Sequence, residues 1–448
     1  MGLLHNNPRY IIIGTGSAGI AAAIAIREYD RNGSIFLITE DPFGYYSRPG
    51  LAYLLTSEIP ERYLYPMHEQ DFNDIGVKLI FGRVTHLHCD DHKLTLADGQ
   101  TLAYDRLLIA VGARALRPVL PGIDLDGVVT LDSLDDTLNM LKLMKHSKTA
   151  VVIGGGITAL EIVEGLVAKG IRTHYFLRGD HYWSSVLDQT ESIIIEQRLK
   201  SEGVILHPQT ELAEIIGKQG KVTAVRTTSG ETIPCSLLGV AIGIQPRKEL
   251  AANAHLDVDK GILVTQSLQT THPDVFAAGD VAQVFDPVTG KSLLNSLWDP
   301  ARKQGIIAGS VMAGQNVVYT RDTTLNVTRL AGLTTTLIGS IGSGDPNHRD
   351  DDLISITHGD SEAWRERPEA IIAQANYEVN RLRLLVGKSA LLGALIMGDQ
   401  TLTRPIKKMI EEHSDITPIR QRLVEPGADL DQIIKQFIAQ LELVYGIG

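Results

Sequence analysis

The residues Arg9-Tyr10-Ile11-Ile12-Ile13-Gly14-Thr15-Gly16-Ser17-Ala18-Gly19 read as an apolar strand that breaks into a glycine turn and restarts as an Ala/Ile-rich helix to about Tyr29. Gly14 makes the turn, Gly16 lets backbone approach a pyrophosphate, and Gly19 lets helix and strand pack closely. The N-terminus of the helix favours negative charge. A second strand, residues 35–39, ends at Glu40, about 20 residues past the last glycine, where an acid would accept from a ribose diol. The uncharged stretch from Tyr10 to Ile26 falls short of the ~20 apolar residues a spanning helix needs, and glycines interrupt it, so no transmembrane segment is expected.

The same unit recurs. Ala150-Val151-Val152-Ile153 runs into Gly154-Gly155-Gly156-Ile157-Thr158-Ala159, then a helix to about Lys169 and a strand over residues 171–177. Two βαβ nucleotide units in 448 residues predict an α/β protein with two Rossmann-like dinucleotide-binding domains. Residues 84–109 alternate like a β-meander with a turn at Asp98-Gly99, and residues 221–239 repeat that pattern with a turn at Ser229-Gly230. Pro118 and Pro121-Gly122 mark a crossover. From about Tyr319 the pattern changes to strands, a charged loop over residues 345–352, and a C-terminal helix over residues 428–445. That helix carries Leu430, Ile433, Ile434, Phe437, Ile438, Leu441 and Val444 on one face, with only Lys435 on an acidic opposite face. Interfacial membrane helices favour Lys and Arg, so this one reads as packing on its own domain or on a second subunit.

With 44% hydrophobic and 21% charged residues the chain is ordinary globular material, and its net charge of −11 argues against nucleic acid as a partner. Two cysteines, Cys89 and Cys235, make no disulfide framework and point to a reducing, cytoplasmic setting. The run His86-Leu87-His88-Cys89-Asp90-Asp91-His92 invites a metal reading. On a strand, however, His86 and His88 point away from Leu87 and Cys89, so a hairpin without metal is expected.

In order along the chain, further segments carry a resemblance. They are Leu107-Leu108-Ile109-Ala110-Val111-Gly112-Ala113-Arg114, Val240-Ala241-Ile242-Gly243-Ile244-Gln245-Pro246, and Val275-Phe276-Ala277-Ala278-Gly279-Asp280. With the two glycine turns they resemble the FAD-dependent pyridine nucleotide-disulfide oxidoreductase superfamily, which includes rubredoxin, ferredoxin and glutathione reductases and the flavin module of nitrite reductase. The resemblance spans roughly residues 8–320. It implies a glutathione reductase-type fold with a discontinuous FAD domain (residues 1–119 and 246–320), an inserted NAD(P) domain (120–245) and a smaller α+β C-terminal domain (321–448). By that resemblance FAD is held by Gly14, Gly16, Ser17, Ala18, Gly19, Glu40, Arg48, Pro49, Val84, Ala110, Gly112, Arg114, Gly279, Asp280 and Ala301. The nicotinamide cofactor is held by Gly154, Gly156, Ile157, Thr158, Arg178 and Gly243.

Where disulfide reductases carry a cysteine pair after the acid, this chain has Phe43-Gly44-Tyr45-Tyr46-Ser47-Arg48-Pro49-Gly50-Leu51. That segment resembles the Tyr-x-Arg-Pro-x-Leu signature of the disulfide-free branch. Ser296-Leu297-Trp298-Asp299-Pro300-Ala301, followed by Gln304-Gly305, resembles the segment those enzymes place beside the flavin. Their lysine after the proline is replaced by Ala52 and Tyr53, while Glu161 occupies the position of the glutamate paired with it; Glu161 either relays a proton or orients nicotinamide. Leu177-Arg178 resembles the ending of NADPH-type glutathione reductases, in which arginine meets the 2′-phosphate; their second arginine is absent, and Ser184 is near its place. NADPH is therefore favoured over NADH.

The resemblance implies an NAD(P)H:acceptor oxidoreductase, with Glu161 and Trp298 at the catalytic centre, that passes electrons to a rubredoxin- or ferredoxin-like carrier. A homodimer is expected. Arg302, Lys303, Lys407 and Lys408 offer a basic docking patch or are scattered solvated charges. Rival readings are a redox-sensing scaffold flavoprotein resembling apoptosis-inducing factor, or an NAD(P)H oxidase or quinone reductase. The strand segment over residues 390–399, which resembles the C-terminal strand pair of the reductases, favours the enzyme.

Overall fold

The computed structural model describes residues 7–287, 289–339, 371–377 and 380–445; the charged loop expected over residues 345–352 lies outside them. The chain forms two compact units. The first takes the chain up to Leu116, Asp132–Leu138 and Ile244–Arg321; the second takes Arg117–Leu131, Asn139–Gly243 and the chain from Asp322 onward.

In the first unit a five-stranded parallel sheet runs Val275–Ala277, Arg106–Ile109, Arg9–Ile13, Ser34–Thr39 and Val77–Phe81. Ile11, Ile12, Leu37, Ile38, Leu107, Leu108 and Ile109 are wholly buried, as continuous apolar runs must be when both faces of a parallel sheet are covered. The register sets Ile13 beside both Ile38 and Ile109, so three strands end together. The helix Ser17–Tyr29 packs on the helix Trp298–Met312 at a distance only glycine permits. A Cβ on Gly305 would lie 2.2 Å from the Ala18 carbonyl oxygen, and one on Gly309 2.4 Å from that of Ala22.

The unit also holds a three-stranded sheet of Ile262–Val264, Ala282–Asp286 and Lys291–Leu294. Beside it in sequence is an antiparallel meander, Val84–His88, Lys93–Leu96 and Thr101–Ala103, turning at Gly99 with φ near +88°. His86 and His88 stack on its exposed face, centroids 6.4 Å apart, while Leu87 is buried. Leading out of and back into the unit, Ala113–Ala115 and Ile244–Pro246 pair antiparallel, Gln245 opposite Arg114.

The second unit repeats the parallel plan in the order Ile205–His207, Arg172–Phe176, Thr149–Ile153, Leu237–Val240, Val128–Val129. It adds a three-stranded antiparallel meander, Leu212–Lys218, Lys221–Thr227 and Thr232–Pro234, turning at Gly230. A five-stranded antiparallel sheet follows, ordered Leu325–Leu330, Leu333–Gly339, Leu391–Met397, Asn380–Val386, Ile371–Tyr377. The helix Leu430–Tyr445 lays Leu430, Ile433, Ile434 and Phe437 into one core with Leu382, Leu384, Ala394 and Ile396 of that sheet. From Leu430 to Ile438 its apolar stripe is thus covered by its own unit.

Because the obstacle at Gly305 is backbone, Gly305→Ala cannot be absorbed by a side-chain rotation. It should destabilise the protein by roughly 1–3 kcal/mol in thermal or denaturant unfolding. Gly16→Ala, at φ −75° with nothing within 4 Å of the added carbon, should leave the unfolding midpoint unchanged when both variants are compared free of bound ligand. Equal midpoints for both variants would contradict this account of the helix contact.

Candidate functional site

The end of the strand Arg9–Ile13 is fixed by backbone hydrogen bonds on both sides. Gly14 N donates to Ile38 O at 2.8 Å and Ala110 N donates to Ile13 O at 2.8 Å. Gly14 has φ near +112°, and a Cβ there would fall 2.2 Å from the Ala110 carbonyl oxygen. On Gly19 it would fall 2.0 Å from the Gly14 oxygen. Gly16 opens the helix in extended backbone, with no side chain capping it and no acid in the first turn. The first N–H groups of that helix therefore stay available to an anion.

These elements wall a cavity of about 700 Å³, in the range of cofactor sites. Gly14, Gly16, Ser17, Ala18, Glu40, Arg48, Val84, Ala110, Gly112, Arg114, Gly279, Asp280 and Ala301 all line it. Gly19 and Pro49 stand behind the lining: Gly19 packs on Gly14, and Pro49 precedes the short helix Gly50–Thr56. The lining also includes Tyr46 of the Tyr-x-Arg-Pro-x-Leu segment and groups the sequence did not single out, among them Thr39, Asp41, Ser133, Arg247 and Glu249. Arg247 Nη1 donates to Glu40 Oε1 at 3.0 Å, and Arg114 Nη2 to Glu249 Oε1 at 2.5 Å, so cations and carboxylates alternate around the rim.

On the inner side, Gly279 turns with φ near +81° and its N–H donates to Gln304 Oε1 at 2.8 Å. The next residue, Asp280, has its carboxyl pushed up to about 6 by burial, against the pull of the Arg48 guanidinium and with a further push from Asp132. A buried carboxyl facing a cavity needs hydrogen-bond donors, which the hydroxyls of a polyol can supply. An open glycine wall, a free helix N-terminus and an inward carboxyl fit a phosphate-bearing polyol such as FAD.

Trp298, first residue of its helix, is 50% exposed. Lys303 faces Asp299 at 2.8 Å. In the second unit Lys407 faces Glu411 at 2.6 Å and Lys408 faces Glu412 at 3.9 Å. Three of the four cations considered for docking are therefore neutralised within their own helices.

The second glycine turn repeats the first. Gly154 has φ near +136°, its Cβ would lie 2.0 Å from the Ala241 carbonyl oxygen, and Gly156 opens the helix Ile157–Ala168, which holds Thr158 in its first turn. Gly243, with φ near +123°, ends the segment that crosses back. Beyond the strand Arg172–Phe176, Leu177 is buried and Arg178 exposed.

One turn into the helix, burial and the neighbouring Glu164 push the Glu161 carboxyl up to about 7. Burial raises Glu164 likewise to about 7, although Arg329 and the N–H groups of Gly332 and Ala331 draw it down. The two thiols belong to different units and form no disulfide. Cys89 is half-buried in the first unit's meander, and Cys235 is buried in the second unit. Burial pushes the Cys235 thiol up to about 12 and raises Cys89 too, so neither is a ready thiolate. Among the described residues no group of three or more His, Cys, Asp or Glu side chains is placed to hold a metal ion, and no helix is long and apolar enough to cross a membrane.

Paired glycine turns over parallel sheets define a dinucleotide-handling protein. The chain matches the sequence model of the pyridine nucleotide-disulphide oxidoreductase family over residues 8–305 and belongs to that family. It is an NAD(P)H-dependent flavoprotein oxidoreductase of the branch without a redox disulfide. It is 30% identical over 306 residues to the rubredoxin-NAD(+) reductase of Pseudomonas putida, covering 67% of this chain and 79% of that one. Over 312 residues it is 31% identical to the 3-phenylpropionate/cinnamic acid dioxygenase ferredoxin–NAD(+) reductase component of Photorhabdus laumondii, covering 69% and 78%. In structure it resembles the ferredoxin reductase for the CYP199A2 system from Rhodopseudomonas palustris. The TM-score is 0.82 at 24% identity, over 95% of this chain and 99% of that one.

The raised carboxyls have a consequence for stability. The ordinary value for both is 4.5, so the stability they allow is complete below about pH 4.5 and is lost as the pH rises through about 7. Relative to Glu161→Gln, the wild-type protein should lose stability on the order of 1–3 kcal/mol between about pH 5.5 and pH 8.5. Thermal melts across that window check this; parallel curves for the two proteins would refute the buried-acid account.

Proposed function

We propose that the cavity of the first unit holds FAD, that the second glycine turn holds the pyridine nucleotide, and that the protein passes electrons from NAD(P)H to a small iron–sulfur or rubredoxin-type carrier. The observation that carries this reading is the 700 Å³ cavity, lined by the glycine turn, the start of its helix and Asp280. The relatives' names, rubredoxin-NAD(+) reductase and ferredoxin–NAD(+) reductase component, support the choice of acceptor.

In this reading the N–H groups at the start of the helix Ser17–Tyr29 take the pyrophosphate, and Gly16 keeps the approach open. Glu40 accepts from the adenosine ribose while Arg247 holds its second oxygen in place. Asp280, with Arg48 beside it, receives the ribityl hydroxyls. Bound there, a flavin supplies hydride acceptance from nicotinamide and electron release in single steps. Trp298, half-exposed at its helix start, would border the ring where a carrier can reach it. With its carboxyl raised to about 7, Glu161 is divided between its protonated and ionised forms near neutral pH, so it can donate to the nicotinamide carboxamide or exchange a proton with water. The lack of a ready thiolate rules out the disulfide relay for which the family is named. Two reduced thiols also fit a cytoplasmic location.

The purified protein should be yellow, release FAD rather than FMN on denaturation, and reduce ferricyanide at the expense of NAD(P)H. Gly16→Val should abolish flavin binding without unfolding the protein, because its side chain enters the cavity and not the core. A folded Gly16→Val protein with stoichiometric FAD would place the flavin elsewhere.

We also propose that Arg178 meets the 2′-phosphate of NADPH, since the buried Leu177 that replaces the diol-binding acid offers no acceptor. The relatives' names print NAD(+), so the two nucleotides must be compared directly. Arg178→Glu should weaken NADPH more than NADH by about 1.5–3 kcal/mol, read as the ratio of their kcat/KM values. Equal losses, or none, would show that Arg178 does not read the phosphate.

A further inference from the structure

Residues 177–188 join the strand Arg172–Phe176 to the helix Gln189–Ser201 and carry Arg178. The segment is a loop by conformation and a core by burial: Tyr182, Trp183, Val186 and Leu187 are all nearly inaccessible. Trp183 sits at φ near +51°, a left-handed conformation that a bulky aromatic adopts only when its surroundings impose it.

The beginning of the loop is tied to the extension of its own sheet. Leu177 N donates to His207 O at 3.0 Å, Thr210 N to Leu177 O at 3.0 Å, and Gln209 N to Gly179 O at 2.9 Å. The loop then folds back on itself, so closely that a Cβ on Gly179 would lie 2.4 Å from Ser184 Oγ. Its end is gripped from the C-terminal sheet. Arg383 Nη2 donates to Val186 O at 2.7 Å, and Arg383 Nε stands 2.9 Å from Glu191 Oε1. Arg381 Nε donates to the same Glu191 oxygen at 3.2 Å, and its Nη2 pairs with Asp188. Asp188 and Glu191 also cap the helix reciprocally, each accepting from the other's backbone N–H at 2.8 Å.

Arg381, Arg383 and Glu191 are each at most 3% exposed. Such a buried ionic cluster is weak evidence for stability, because apolar residues of similar volume often do as well. What it does give is directional hydrogen bonding that fixes a backbone in one place. The capping pair alone already satisfies the helix start, so the arginines add something the helix does not need: they hold the Val186 carbonyl and, through the folded-back loop, the residue next to Arg178.

We infer that Arg381 and Arg383 are positioning residues for the pyridine-nucleotide site, acting from the C-terminal sheet on the loop that reads the adenosine end of the nucleotide. This rests on the second glycine turn being the nucleotide site. The arginines do not touch the nucleotide; they set the conformation in which Arg178 is presented to it.

The test uses the full flavin-loaded protein, with ferricyanide as acceptor. Arg383→Met should raise the KM for NADPH tenfold or more and shift the NADPH-to-NADH ratio of KM values, while kcat at saturating nucleotide stays within about twofold. A variant weakened only in its fold would lose both nucleotides alike and leave that ratio unchanged, and that outcome overturns the inference. Arg383→Lys keeps the charge without the guanidinium fork. It cannot reach Val186 O and Glu191 together, so it should shift the NADPH-to-NADH ratio of KM values in the same direction by a smaller factor, about threefold. It carries the test by itself if the Met variant fails to fold, an unchanged ratio then overturning the inference. Unchanged KM values in both variants overturn the positioning role alone. A wild-type protein oxidising neither nucleotide overturns the nucleotide-site reading beneath it.

Discussion

Two contacts between a glycine and a neighbouring strand's carbonyl govern the rest of this structure. Gly14 closes on Ala110 and Gly154 closes on Ala241, in each case so tightly that a side-chain carbon would overlap the oxygen. The close approach lets the central strand end, turn and re-enter as a helix without leaving the sheet. It aims the unsatisfied N–H groups of that helix outward over the strand ends. A ligand held there is held by backbone first, through its phosphates, and side chains are left to act at the periphery. That division fits a lining in which Glu40, Arg247, Arg114 and Glu249 stand beside Gly14, Gly16, Ala18, Ala110, Gly112 and Gly279.

The same contacts explain how much could be read from the chain. Glycine spacing, apolar runs and the acid after the second strand are local, so both nucleotide units and both meanders were legible, with strand ends displaced by a residue or two. Most lining residues of the cavity were legible too, through short segments met in order. What stayed hidden depends on contacts remote in sequence. Arg247 lies more than two hundred positions from its partner Glu40, with nothing at either place to announce the other. Residues 132–138 join the first unit because Tyr46 Oη accepts from Leu134 N and Arg48 donates to Asp132 O. No local pattern marks that.

Arg381 and Arg383 show the limit of pattern reading most sharply. In Asn380-Arg381-Leu382-Arg383-Leu384 the alternation gives an apolar and a charged face, and the ordinary expectation puts the charged one in water. Both faces are buried. Leu382 and Leu384 enter the core under the C-terminal helix, and the arginines meet Asp188 and Glu191. Alternation reports which residues share a face; only the acids, almost two hundred positions earlier, report what that face meets.

The electrostatics of the two units then separate their chemistry. In the first, carboxylates and guanidiniums alternate about an open cavity, and the buried Asp280 is partly offset by Arg48. In the second, burial and the neighbouring Glu164 carboxyl raise Glu161 to about 7. A group poised so close to physiological pH can change protonation at little free-energy cost, whereas thiols raised by burial cannot become nucleophiles there. Proton exchange is thus available to the second unit and thiol exchange to neither. With Lys303, Lys407 and Lys408 each spent on a carboxylate of its own helix and a net charge of −11, long-range attraction contributes little to bringing an acidic carrier in. Recognition is left to short-range fit, for which a half-exposed indole such as Trp298 is a suitable contact.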